Sequence, residues 1–121
     1  MTLGELQDLV RRFAEKRDWG QFHTPRNLIL ALSGEAGELA ELLQWTADAD
    51  VDAWLAEPTN KENLRHEMAD VLSYLLRLSD VCGVDLEQAL LEKTEVNETR
   101  YPEELAKGTA QKYTQLGGSD S

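Results

Sequence analysis

Between Thr24 and Ala47 apolar side chains return at intervals of three and four, and Leu28, Leu39 and Leu42 fall within roughly 40° of Glu35 on a helical wheel. Such a period can be laid down only as a helix, and its apolar stripe has a carboxylate at its centre. Glu38 lies about 60° to one side, near Trp45, whereas Glu41 lies about 120° away and faces water. Burying an unpaired carboxylate costs several kcal/mol against a total domain stability of about 5–15 kcal/mol. The fold must therefore bring something cationic to this stripe.

The rest of the chain reads as helix as well. Thr2 and Glu5 form a capping box, after which Leu6, Leu9, Val10 and Phe13 recur at helical spacing to about Asp18. A connector, "DWGQFHTPRN", leads to Thr24 as N-cap with Pro25 in the first turn of the long second helix. A loop, "DADVDAWLAEPTN", follows. Thr59 with Glu62 offers a second capping box for a third helix that ends near Gly83, and Asp85 caps a fourth that Pro102 stops. The expectation is an all-α, four-helix-bundle-like protomer over residues 1–116, irregular from Glu103 onward, with a disordered tail at Gly117–Ser121.

With 23 acidic and 12 basic residues the net charge is -11, too negative for a protein that grips nucleic-acid phosphates. Small anions stay open, because a bound divalent cation inverts the local field. Cys82 is the one cysteine, so neither an intrachain disulfide nor a cysteine-built zinc site can form within the chain. No run approaches the roughly 18 apolar residues of a membrane span and no export signal is visible; a cytoplasmic setting is expected.

The third helix repeats the arrangement of the second. Glu67 is centred among Leu64, Val71, Tyr74 and Leu78, with Asp70 about 60° to the same side. Two E-x-x-[ED] pairs thus aim inward, and an i, i+3 spacing sets two carboxylates on one face within reach of one ion. All-oxygen ligands suit Mg²⁺, or Mn²⁺. On the fourth helix Lys93, Asn97 and Arg100 share a face with Leu86, Ala89 and Leu90, where aliphatic residues would continue a structural stripe. Carboxylates holding a metal opposite such cations make a phosphate site. A structural alternative has Lys93 and Arg100 snorkel from the stripe edge and pair with the acids. His23 and His66 read as structural or surface histidines, since neither completes the E-x-x-H of a di-iron bundle. Trp19, Phe22, Trp45 and Tyr74 serve equally well as core or as surfaces on which a base stacks.

The blocks "RDWGQFHTPRNLILALSGEAGELAELLQW", "EMADVLSYLLRLSDVCGVDL" and "KTEVNETRYP" resemble the MazG-like all-α nucleoside triphosphate pyrophosphohydrolases, and among them the dCTP pyrophosphatases. The likeness runs from about Leu6 to Leu116. It implies a homotetramer, a dimer of tight dimers, that hydrolyses dCTP, and its base-modified forms, to dCMP and pyrophosphate with Mg²⁺. Carried over by position, Glu35, Glu38, Glu67 and Asp70 would hold the metal. Trp19, Gly20, Gln21, Phe22 and His23, with Trp45 and Tyr74, would surround the nucleoside, and Lys93, Asn97 and Arg100 would face the phosphates. Glu38 is the preferred general base, with Glu35 beside it. Val10 stands where close relatives carry a histidine near the base, which leaves base selectivity open. The competing readings are a pyrophosphohydrolase for dUTP or a damaged triphosphate, and a non-catalytic helical interaction protein with exposed acids.

Overall fold

A computed structural model describes residues 1–116, and among them it contains helices and turns but no strand. Six α-helices follow one another: α1 Leu3–Glu15, α2 Pro25–Glu41, α3 Val51–Ala56, α4 Pro58–Cys82, α5 Leu86–Arg100 and α6 Glu103–Ala106. The all-α class and the four long helices agree with the sequence reading; the expected tail at Gly117–Ser121 lies outside the described residues. By its contacts the chain divides into two compact units, Met1–Val84 and the segment from Asp85 onward.

In the first unit the caps set the helix starts. The Glu5 backbone N–H donates to Thr2 Oγ1 at 3.1 Å, and the Thr2 N–H donates back to Glu5 Oε1 at 3.2 Å, so two of the orphan donors of α1 are satisfied reciprocally. The helix stops at Glu15, short of the expected Asp18, because Asp18 takes a left-handed φ of 54°. The Trp19 N–H then reaches back to the Ala14 carbonyl, and the Trp19 ring meets Phe13 edge-on at 5.7 Å. Thr24 caps α2 through the Asn27 N–H, while the Asn27 side chain donates to the Phe22 carbonyl. The connector holding Trp19 and His23 is thereby tied at both ends.

Three boundaries differ from expectation. Helix α2 gives way to turns after Glu41 rather than running to Ala47. The stretch read as one loop contains α3, whose half-buried Val51, Trp54 and Leu55 let it pack on α4. Helix α4 begins at Pro58, not behind a Thr59 cap: proline needs no N–H at the first helical position, so the cap moves to Glu57, the helix starts two residues earlier and Thr59 lies inside it. Glu62, the other half of the expected capping box, bonds Arg65 and His66 instead. At the other end Gly83 takes φ 68°, the left-handed cap that glycine supplies without a Cβ clash.

The core of this unit is thin. Ala14, Leu28 and Leu76 are essentially fully buried, one from each of α1, α2 and α4, and α4 is the helix on which α1, α2 and α3 all pack. Ile29, Leu30, Met68 and Leu72 are exposed on α2 and α4.

In the second unit Asp85 caps α5 by accepting from the Gln88 N–H at 3.0 Å. After Pro102 the chain forms the short α6 and, over Tyr113–Gln115, a turn of 3-10 helix, where irregular structure was expected. The Arg100 guanidinium lies over the Tyr113 ring at 4.7 Å, and Tyr113 meets Tyr101 edge-on at 6.0 Å.

Candidate metal centre

Glu35 and Glu38 stand one turn apart on α2, and Glu67 comes from α4, the helix packed against it. One carboxylate oxygen from each lies within 4.8 Å of the other two. The wheel reading carries over to depth: Glu35 and Glu67 are half-buried, whereas Glu38 and Asp70 are exposed. Glu35 Oε2 and Glu67 Oε2 are buried and have no hydrogen-bond partner.

The electrostatics follow from that crowding. Burial, then a hydrogen bond and the charge of Glu38, then the charges of Asp70 and Glu67 push the Glu35 carboxyl up to about 6. Burial, then Glu38, then the charges of Asp70 and Glu41 also raise Glu67. Two orphaned buried oxygens amid like charge are what a divalent cation would relieve, and an all-carboxylate donor set suits Mg²⁺ or Mn²⁺. The residues present fit such an ion. Glu35, Glu38 and Glu67 form the tight group; Asp70 is near enough to act on both buried acids through its charge.

Asp70 also lines a cavity of about 470 Å³, together with Trp19, His23, Tyr74 and Arg77. A neighbouring cavity of about 410 Å³ adds Phe22, Asn27 and Leu28 around the same Trp19, His23 and Tyr74. Four expected nucleoside contacts are thus brought to one place next to an acid of the cluster. Gly20 opens the turn that carries Phe22 between Trp19 and His23, Tyr74 comes from α4, and the Gln21 amide donates to Asp18. Trp45 lines neither cavity and is 89% exposed. Lys93, Asn97 and Arg100 are exposed, as is Leu90 on the face the wheel gives them, while Leu86 and Ala89 are half-buried and α5 has no fully buried residue.

One set of residues escaped the sequence reading. His23 Nδ1 accepts from Arg77 Nε at 3.0 Å, and Arg77 in turn is bonded to Asp80, which Arg11 also holds. The available signal was Arg77 itself, a cation three residues on from Tyr74, with an acid three residues further still.

Comparison with known proteins accords with this geometry. The MazG-like family model matches residues 30–116. The chain is 49% identical over 115 residues to dCTP pyrophosphatase 1 of Rattus norvegicus and 48% identical to that of Homo sapiens, in each case covering 95% of this chain and 68% of the relative. It is 30% identical over 93 residues to the uncharacterized protein YvdC of Bacillus subtilis, 74% of this chain and 87% of that one. Among solved structures it is similar to a pyrophosphatase from Archaeoglobus fulgidus, with a TM-score of 0.75 and 41% identity over 82% of this chain and 91% of that one. No helix among the described residues is long and apolar enough to cross a membrane. With the family model spanning most of its length and its acids paired across α2 and α4, the chain belongs to the MazG-like family.

Proposed function

We propose that the protein is a nucleoside triphosphate pyrophosphohydrolase that uses Mg²⁺ to hydrolyse dCTP to dCMP and pyrophosphate, and that it clears dCTP or its base-modified forms from the nucleotide pool. The observation that carries this reading is the pair of buried, unpartnered carboxylate oxygens on Glu35 and Glu67, set beside a cavity with aromatic walls. The mammalian relatives named for dCTP supply the choice of base.

Glu35, Glu38, Glu67 and Asp70 would hold the ion. Bound there, it supplies positive charge to the triphosphate oxygens as negative charge shifts towards the leaving group. Glu38 is exposed while lying within reach of both buried acids, so it is the carboxylate best placed to orient a water and take its proton. The water oxygen forms its new bond to phosphorus as the anhydride bridge between the α- and β-phosphates breaks, giving dCMP and pyrophosphate. Trp19, His23 and Tyr74 hold the nucleoside away from bulk water, and Trp45, exposed in the single chain, would close over the base. Lys93, Asn97 and Arg100 would meet the phosphates.

Pyrophosphate release from a panel of dCTP, dUTP, dTTP and CTP with Mg²⁺ tests the reading; no release from any of them would leave the interaction-protein alternative. Within an active enzyme the two kinds of contact separate. Trp45→Ala removes a stacking surface worth about 1–3 kcal/mol in ground and transition states alike, so KM should rise roughly ten- to a hundredfold with kcat changed less. Lys93→Ala or Arg100→Ala removes charge that meets the reacting phosphates and should lower kcat by a similar factor for every triphosphate.

Assembly is part of the proposal. Ile29, Leu30, Met68 and Leu72 in the first unit, and Leu90 and Leu91 on α5, are more than two-fifths exposed, more apolar surface than a chain with so thin a core would leave in water. A homotetramer built as a dimer of dimers would cover it. Sedimentation at micromolar concentration should show that species; a stable, fully active monomer would contradict it.

A further inference from the structure

The side chains that fix His23 lie outside the acid cluster. Arg77 is only 9% exposed; its Nε donates to His23 Nδ1 at 3.0 Å and its Nη1 donates to Asp80 Oδ2 at 2.8 Å. Asp80 accepts two further bonds, from Arg11 Nε and Nη2, at 2.7 Å each. A guanidinium has N–H groups and no acceptor, so the bond from Arg77 Nε requires a lone pair on His23 Nδ1. In the neutral ring the single proton must then reside on Nε2. Burial and the adjacent Arg77 charge both hold His23 below its ordinary range, so at neutral pH the ring stays uncharged.

We infer that Arg11, Asp80 and Arg77 are positioning residues that lock His23 as an Nε2–H donor at the 470 Å³ cavity, and that this donor selects a base whose ring nitrogen is an acceptor. The inference rests on the triphosphate reading above and names what decides the base. Leu9, Val10 and Phe13 line the same space without a side-chain hydrogen-bonding group, and although Trp19, Asp70, Ser73 and Tyr74 carry one, His23 is the group that Arg77 holds to a single donor state. Cytosine presents N3 as an acceptor beside the O2 carbonyl. Uracil and thymine carry a proton on N3, and two donors facing each other leave both unpaired. A free histidine could turn its other tautomer to either base; one held by Arg77 cannot.

The position of the donor makes a sharp test available. In Arg77→Gln the side-chain amide nitrogen occupies the place of Nε along the chain, so it can still donate to Nδ1. Arg77→Met fills the volume without a donor and leaves Asp80 paired with Arg11. Long-range ¹H–¹⁵N spectra of histidine-labelled protein report the His23 tautomer, and kcat/KM for dCTP over dUTP reports selection. Wild type and Arg77→Gln should show a single Nε2–H ring and prefer dCTP about tenfold or more. Arg77→Met should show mixed tautomers and lose most of that preference, chiefly through KM. Should Arg77→Met fail to fold, Arg77→Lys, which keeps the charge but places no donor at Nε, takes its role. A wild-type ring protonated on Nδ1 overturns the inference outright. So does a variant with scrambled tautomers and an unchanged dCTP preference. A locked Nε2–H ring in a protein that hydrolyses no triphosphate overturns the functional reading, and base selection with it.

Discussion

Glu35→Gln or Glu67→Gln is expected to cut pyrophosphate release at saturating Mg²⁺ at least about a hundredfold while raising the melting temperature of the metal-free protein. Each change removes one proposed ligand and one of the clustered negative charges, and the amide keeps the shape of the acid. The sign of the stability effect follows from Glu35, pushed from 4.5 up to about 6 chiefly by burial and by Glu38. A raised carboxyl binds its proton more tightly in the folded chain than in the unfolded one. The folded state therefore loses stability as pH rises from about 4.5 to about 6, and the full penalty stands above that window. Glutamine never ionises. In EDTA the gap in melting temperature between Glu35→Gln and wild type should be near zero at about pH 4 and fully open at pH 7. Mg²⁺ should then stabilise wild type by mass action and leave the variants nearly unmoved. Near-full activity of either variant would sink the metal-site assignment. Equal melting temperatures at pH 7 would show that the acids are not strained together.

The acid cluster was legible because helical period and chemistry coincide in it. Glu35 and Glu67 sit at stripe centres, and their depth follows from the wheel without knowledge of which helices touch. Caps at Thr2, Thr24, Asp85 and Gly83 were equally local, each depending on side-chain bonds or backbone angles within a few residues. Where two local signals competed, at Pro58 and Thr59, the proline won, because it needs no N–H at the first helical position and the earlier start adds backbone hydrogen bonds such as Lys61 N–H to the Glu57 carbonyl. Helix α5 was less legible for a different reason. A wheel says which side chains share a face but not what covers that face, and Leu90, Leu91 and Val96 are exposed along with Lys93 and Arg100. Pairing across distance was illegible altogether. Arg11 and Asp80 are 69 residues apart and Arg77 and His23 are 54, and nothing in a period of 3.6 joins them.

That long-range network carries the other large effect. Asp80→Ala should destabilise the fold by about 3–5 kcal/mol, because it strands the buried Arg77 guanidinium beside a histidine held uncharged. Arg11→Ala should cost less than about 1 kcal/mol: its side chain is 37% exposed, and Asp80 keeps Arg77 as partner when Arg11 is gone. Removing both ends of the buried pair, in Asp80→Ala with Arg77→Met, should recover most of the loss, since no charge is then left unpaired. The pH dependence runs opposite to that of the acid cluster. The hydrogen bond from Arg11, with the charges of Arg11 and Arg77, outweighs burial and holds Asp80 below its ordinary 3.8. A lowered carboxyl contributes stability that is complete above that value and lost as pH falls through the folded one. Urea unfolding of the metal-free wild type should therefore show stability rising from pH 7 to about 5 as Glu35 takes up a proton, then falling below pH 4 as Asp80 does. Asp80→Ala should keep the rise and lose its share of the fall. If it costs no more than Arg11→Ala, Arg77 is not held by this carboxylate, and the tautomer it imposes on His23 has to be fixed by Arg77 alone.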